Sequence, residues 1–511
     1  MQNYPNNIKK KLISISDLSK KLKLSRKRKK ISLCHGTFDI VHPGHIRHLM
    51  YAKQKSDILI VSITKDKFIT KSKDGPFVPE ELRVRNLAFL EIVDYVIIDD
   101  YAKPINLISK IKPDYFIKGF EYSENNIHPK TKEEIKALKK FGGKILFSPG
   151  DVVFSSTLLK KINKPNIRRE KLISLMDSEN VSFNDILKTI TTFKGIKIHI
   201  IGDIIVDRYN FCSIIGATAK TPTFSIKKMS SETYIGGAGI VARHLKALGA
   251  NVVLTSVIGD DQLGRFVKKE IISSGIKFNC IIDKSRCTTL KERYWANDYK
   301  LIQIDTVDNH LLSKELVDKI KQKVMDVKSK AVIFSDFRHG IFNKDNIDTI
   351  SKKIKKNVLK IADSQVSNRW GNILEFKNFD LILPNEKEAR FALGDQDIPV
   401  RQLGTSIIRK ANSKFMILKL GDKGIMTFRK KGLHPREFFP IETFAENIVD
   451  GVGAGDAMLA GSSLGLIASK NILISSIIGN VAAALICKKS GNQPINLISL
   501  IEKIKEISNS V

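Results

Sequence analysis

Two doubly wound α/β domains in series is the fold class this sequence predicts, and three observations predict it. Apolar runs of strand length alternate with helical patterns along both halves of the chain, which calls for parallel sheets covered by helices on both faces. Two segments, Ile31-Ser-Leu-Cys-His-Gly36 and Ile198-His-Ile-Ile-Gly202, each run an apolar strand into a glycine turn. The 511 residues hold two or three domains at ~100–200 residues apiece, each long enough for its own core.

In chain order, residues 1–30 form a basic segment with eleven Lys/Arg against one acid, Asp17. Its Ser16-Asp17-Leu18 opening and spaced leucines predict a basic helix leading into the first strand. The first domain runs over 31–162, with strands at 57–63 and 93–98 and helices at 80–90 and 132–141. Residues 163–194 are read as a linker, proline-bearing and polar at its start, with a short helix at 181–193. The second domain fills 195–511, with strands at 252–257, 331–335, 359–363, 381–383 and 415–420. The most apolar stretch, 457–487, is interrupted by Ser, Gly, Lys470 and Asn471. It reads as two buried helices, since a span needs about twenty uninterrupted apolar residues.

The composition is that of a globular chain, 42% hydrophobic and 27% charged, which excludes a mostly disordered or collagen-like protein. A net charge of +33 would suit a nucleic-acid or anionic-membrane partner. The lysines, however, are spread along the whole chain and no basic motif is interleaved with aromatics. They read as solvated helix faces, with neither nucleic acid nor membrane as partner. The five cysteines are far apart, odd in number and without a CxxC pair, so a disulfide framework and a zinc site are excluded and a reducing cytoplasm fits. The first thirty residues lack the apolar core of a signal peptide.

The first strand runs into Gly36-Thr37-Phe38-Asp39-Ile40-Val41-His42-Pro43-Gly44-His45. A glycine turn before a helix exposes backbone N–H groups to an anion, and two histidines three apart can face one phosphate. This stretch resembles the signature of the HxGH nucleotidyltransferases, the cytidylyltransferase-like family with a Rossmann-like sheet. The resemblance continues over 31–162 through Arg83 before Val93-Asp94, through Pro113-Asp114 with Lys118-Gly119, and through Phe154-Ser155-Ser156-Thr157. It implies that a nucleoside triphosphate loses pyrophosphate as its α-phosphoryl group passes to another phosphate. His42 and His45 would stabilise the transferring group, and Gly36, Thr37 and Phe38 would line the nucleotide. Arg83, Lys118, Ser155, Ser156 and Thr157 would hold it, with Mg2+ bridging the phosphates. Lys71 and Lys73 are weaker candidates on a lysine-rich loop.

The second domain carries Asp450-Gly451-Val452-Gly453-Ala454-Gly455-Asp456 ahead of an apolar helix. Glycines there let the backbone approach a transferring phosphoryl group, and Asp456 can take a proton from a hydroxyl nucleophile. With its companions the segment resembles the ribokinase-like (PfkB) carbohydrate kinases over roughly 195–505, which implies a ribokinase-like domain with a small β lid. By that resemblance Gly453, Ala454 and Gly455 form the anion hole. Asn385 and Glu388 serve Mg2+, Glu388 indirectly, and Lys419 and Gly421 border ATP. Asp207, at the end of Gly202-Asp203-Ile-Ile-Val-Asp207, faces sugar hydroxyls on the first strand, with Gly236 and Gly237 over the sugar. Two positions depart from the pattern: Ile240 stands where an asparagine is usual, and Lys220 where the lid often carries an acid. Lys291, Arg293 and Arg338 are candidates for a second phosphate on the sugar.

The pairing resembles the bifunctional heptose-phosphate kinase and heptose-1-phosphate nucleotidyltransferase family, with the domain order inverted. That implies phosphorylation of a heptose 7-phosphate at its anomeric hydroxyl and nucleotidyl transfer to heptose 1-phosphate. A separate sugar-bisphosphate phosphatase would act between the two steps, and the enzyme would be a cytoplasmic homodimer. The alternatives are another sugar or polyol phosphate with CTP as donor, a degenerate kinase domain kept as scaffold, and a nucleic-acid binder with steep salt dependence.

Overall fold

The structure, a computed structural model, describes residues 6–25, 29–69, 76–119, 129–148, 168–217, 223–296, 299–367, 369–446, 451–488 and 491–509. The chain divides into two compact units, Met1–Glu179 and Asn180–Val511.

The first unit is built on five parallel strands, β1 (Ile31–Gly36), β2 (Ile58–Thr64), β3 (Tyr95–Asp99), β4 (Tyr115–Gly119) and β5 (Lys144–Ser148), in the order β3-β2-β1-β4-β5. Successive side chains of a strand point to opposite faces, and the two cores follow that rule. Cys34, Leu59 and Val61 enter one core, and Leu33, Ile58 and Ile60 enter the other. The chain winds outward from β1 to β3, then returns to β4 on the other side of β1. The crevice at the carboxyl ends of β1 and β4 is therefore the topological switch point, where such sheets bind ligands.

The basic N-terminal segment is part of this unit. Helix Ile15–Ser25 buries Leu18 and Leu22 against the core that contains Leu107 and Ile108, while Lys20 and Lys21 face solvent. Helix Asn6–Lys11 adds Ile8 to the opposite core. The expected basic helix is thus an integral layer of the domain.

The second unit has a nine-stranded sheet and a four-stranded lid. The large sheet contains β6 (Lys197–Gly202), β9 (Asn251–Ile258), β10 (Lys277–Ile282), β13 (Ala331–Asp336), β14 (Leu359–Ser364), β15 (Leu381–Ile382), β16 (Phe415–Lys419), β17 (Ile425–Arg429) and β18 (Phe438–Ile441). Its order is β10-β9-β6-β13-β14-β15-β16-β17-β18. It is parallel up to β16 and antiparallel through β17 and β18. The lid is β7 (Ile204–Ala217), β8 (Phe224–Gly237), β11 (Leu290–Ala296) and β12 (Tyr299–Thr306), ordered β12-β11-β7-β8. The apolar stretch near the C-terminus forms two helices, Ala454–Ser469 and Ile472–Cys487, buried along most of their length. Among the described residues no helix is long and apolar enough to cross a membrane.

Because Leu18 is fully buried, Leu18→Ala should lower the stability of the first unit by about 3 kcal/mol. Denaturant unfolding measures this; a loss under about 0.5 kcal/mol would mean that the basic segment is only a solvated appendage.

Candidate active sites

In the first unit, β1 ends at Gly36 and the chain passes through Phe38, whose φ of 47° places it in the left-handed region. It then enters helix Pro43–Gln54 with Pro43 in the first turn, where proline's missing N–H costs nothing. His42 caps this helix: its Nδ1 accepts the Gly44 N–H at 3.1 Å, which leaves the proton of the neutral ring on Nε2. His45 donates from Nδ1 to the Ile40 carbonyl at 3.2 Å, so its Nε2 carries the lone pair. The two rings lie 4.0 Å apart, with Phe38 5.1 Å from His45. Burial, with the charges of His42 and His48, pushes His45 down to about 4, and burial also lowers His42. Both rings are therefore neutral at pH 7 until an anion arrives. The pair can meet a phosphate with one N–H at once and a second on protonation, at the positive end of the helix dipole.

Two expected nucleotide ligands of this unit have other partners. Arg83 is fully buried and donates from Nε to the Val78 carbonyl at 2.9 Å, from Nη1 to the Thr37 carbonyl, and from Nη2 to the Thr64 carbonyl at 2.9 Å and to Asp66. Four of its five N–H directions are committed to protein, so it braces the turn after β1 instead of facing a triphosphate. Lys118 donates to Thr131 at 3.1 Å and pairs with Glu134. Asp39 performs a similar bracing task, accepting the N–H groups of Phe77 and Val78 at 2.9 and 2.7 Å. Lys71, Lys73, Ser155, Ser156, Thr157 and Lys220 lie outside the described residues.

In the second unit a cavity of about 510 Å³ brings together the expected kinase residues. Asp456 and the Gly453-Ala454-Gly455 turn line it at the N-terminus of helix Ala454–Ser469. Gly453 takes φ 81° there, a conformation that costs glycine nothing. Burial, with Asp363 near, pushes the Asp456 carboxyl up to about 8 against the pull of Lys419. Lys419, at the end of β16, grips both oxygens of Asp363 at 2.9 and 2.8 Å. Glu388 and Asn385 cap helix Glu386–Leu393 reciprocally, at 2.6 and 2.8 Å, and burial raises Glu388 to about 7. Gly421 follows β16 on the same wall.

The lid supplies the opposite wall. Asp207 lies on lid strand β7, not on the first strand β6 as the sequence led us to expect. Its Oδ1 accepts from Arg293 and its Oδ2 from Asn492 at 3.2 Å. Lys291 stands in register beside Asp207, and the Arg293 guanidinium lies 5.3 Å from the Tyr209 ring centre. Gly237 lines the cavity. Gly236 must lack a side chain, since a Cβ there would stand 2.1 Å from Asp207 Oδ2.

Two expectations are corrected. Ile240 is fully buried within helix Ala238–Ala247 and is not on the cavity wall, so it removes no polar contact from the cavity. Arg338 is buried and donates to Glu375 at 2.8 Å and Ser364 at 2.9 Å, so it fastens the loop after β13. Sequence reading missed Asp363 and Asn492. Asp363 carried a signal, an acid at the carboxyl end of a parallel strand; Asn492 sits in a loop with no spacing to announce it.

The cytidylyltransferase-like family matches residues 33–162, and the pfkB family carbohydrate kinases match residues 196–498. The bifunctional protein HldE of Campylobacter curvus is 29% identical over 326 residues, which cover 62% of this chain and 67% of that protein. The protein of the same name from Campylobacter jejuni subsp. doylei is 29% identical over 306 residues, 59% of this chain and 63% of its own length. These stretches thus span about two thirds of the relatives. Phosphofructokinase-2 from Escherichia coli, solved in complex with potassium, superposes with a TM-score of 0.53 at 16% identity, over 61% of this chain and 100% of that one, which shows a shared fold.

Replacing the buried guanidinium by Arg83→Met strands three carbonyls and Asp66, and should cost the first unit about 3 kcal/mol. Thermal or denaturant unfolding reads this. A variant with undiminished stability but weakened nucleotide binding would instead make Arg83 a triphosphate ligand.

Proposed function

Because this chain belongs to the pfkB family of carbohydrate kinases, we propose that its second unit uses ATP to phosphorylate a heptose 7-phosphate at the anomeric hydroxyl. In the same reading the first unit joins a heptose 1-phosphate to a nucleoside triphosphate, releasing pyrophosphate and giving a nucleotide-heptose. The observation that carries the kinase half is the cavity that sets Asp456, at a helix N-terminus, opposite the cationic lid wall of Lys291 and Arg293. The pairing with a cytidylyltransferase-like domain supports the second half.

Asp456, once deprotonated, takes the proton of the acceptor hydroxyl as its oxygen attacks the γ-phosphorus and ADP leaves. The N–H groups of Gly453 and Gly455 receive the charge that builds on the phosphoryl oxygens, the Ala454 N–H being given to the Gly451 carbonyl at 3.3 Å. Lys291 and Arg293 meet the phosphate already on the sugar. No cluster of three or more His, Cys, Asp or Glu that could hold a metal exists among the described residues. Glu388, indirectly, and Asn385 would hold Mg2+, which would supply charge neutralisation at the phosphates. In the first unit, His42 and His45 would offer their Nε2 atoms to the α-phosphoryl group, with ATP as donor and CTP as the alternative. Ser155, Ser156 and Thr157 remain assigned to the phosphates by resemblance. A separate phosphatase would remove the 7-phosphate between the two steps. A homodimer through the lid belongs to the same reading, and Ile302 and Ile304 stand exposed on its edge strand β12.

Mass spectrometry of two incubations tests the proposal. Mg-ATP with D-glycero-D-manno-heptose 7-phosphate should give a heptose bisphosphate. Heptose 1-phosphate with each nucleoside triphosphate in turn should give a nucleotide-heptose and identify the base. Silence in both tubes, from folded protein, would overturn the heptose assignment.

Asp456 must be deprotonated to act as base, and its carboxyl is raised to about 8. Kinase kcat/KM should therefore climb as pH rises from 6 towards ~8 and level off above. Asp456→Asn should lower kcat by ~10²–10⁴ and abolish that limb. A flat pH profile in the parent enzyme would remove Asp456 from the role of base.

A further inference from the structure

Asn492 is 3% exposed and lies on the kinase cavity wall. Its Nδ2 donates to Asp207 Oδ2 at 3.2 Å. A carboxylate only accepts, so this bond fixes which way the amide faces. Oδ1 is therefore turned to the Gly453 side, where a Cβ on Gly453 would stand 2.7 Å from it. Oδ1 is buried and has no hydrogen-bond partner. An orphaned buried acceptor is costly, and such a group calls for a donor that arrives with a ligand.

The chemistry of the candidates decides which donor. Phosphate oxygens of a nucleotide or sugar phosphate are themselves acceptors at neutral pH and would repel Oδ1. A sugar hydroxyl donates. The Asn492 amide lies between Asp207, on the lid wall with Lys291 and Arg293, and the Gly453 turn that leads to Asp456. All three border the cavity that an acceptor must enter to bring its hydroxyl to Asp456. On the kinase reading above, we infer that Asn492 is a specificity-determining residue for the acceptor sugar, its Oδ1 accepting a hydrogen bond from a sugar hydroxyl. Gly453 covers that oxygen with no side chain, and the turn must shift for the acceptor to reach it. Asn492 also packs close to both glycine positions: a Cβ at 236 would stand 3.3 Å from Nδ2, and one at 453 would stand 2.7 Å from Oδ1.

Steady-state kinetics on Asn492→Ala and Asn492→Leu test the inference, with heptose 7-phosphate and ATP varied in turn and thermal unfolding as the check on folding. The expected result is a ~10–100-fold loss in kcat/KM for heptose 7-phosphate with the KM for ATP within about twofold of the parent. One monodeoxy heptose 7-phosphate should suffer a similar loss with the parent enzyme and no further loss with Asn492→Ala. Should both variants unfold, Asn492→Ser and the deoxy series on the parent carry the same test. A KM for ATP that rises in step with that for the acceptor, or a parent enzyme indifferent to every deoxy analogue, overturns the role of Asn492 alone. A parent enzyme that neither turns over nor binds any sugar phosphate overturns the kinase reading and this inference with it.

Discussion

Parallel strands carry their carboxyl ends to one edge of a sheet, and the helices that follow begin at that same edge. Both candidate sites depend on this constraint. In the first unit β1 hands the chain to helix Pro43–Gln54 beside the β1/β4 switch point. In the second, β14 and β16 deliver Asp363 and Lys419 to the cavity where helix Ala454–Ser469 begins. Each helix start carries the positive end of its dipole. Such an end favours an anion, and in the proposed function the histidines of one unit and Asp456 of the other act on a phosphoryl group held there.

The second site adds a tightly balanced set of buried charges. Lys419 grips Asp363 and feels the charge of Glu388; burial alone would pull its ammonium down, and the two carboxyl groups more than offset this. Removing one member of such a set leaves another unpaired in a medium that solvates charge poorly. The set is therefore fixed as a whole, and Asp456 feels it from a fixed position. Arg83 shows the same logic applied to structure: three carbonyls and Asp66 surround one guanidinium, and the turn before the paired histidines has little freedom left.

What could be read from the sequence divides along physical lines. The strands of both large sheets are buried on two faces, so they appear as short continuous apolar runs, and the helices at 183–191 and 454–487 follow their patterns. The lid was named only through family resemblance, because strands such as β12 expose both faces and lack alternation. His42, His45 and Asp456 stand at fixed distances from glycines in single motifs, and they were legible for that reason. Arg83, Ile240 and Arg338 sit in surroundings that their own motifs do not announce, as does Lys118 with its partners Thr131 and Glu134. No local spacing shows that a guanidinium will meet three carbonyls. Asn492 is the reverse case, a polar residue in a featureless loop whose meaning comes from Asp207, 285 positions away.

The net charge of +33 also needs weighing against these sites. A field set by the whole chain would favour ionised carboxylates and hold their pKa values low. Asp456 and Glu388 instead stand at about 8 and about 7, with burial the largest cause for each. Screening confines the surface lysines to a range of ~10 Å at ordinary ionic strength, while desolvation acts on the group itself. Burial is a larger influence on both groups than any single neighbouring charge. The lysine excess belongs to the solvated exterior, including the outer face of the N-terminal helix whose leucines close the first core.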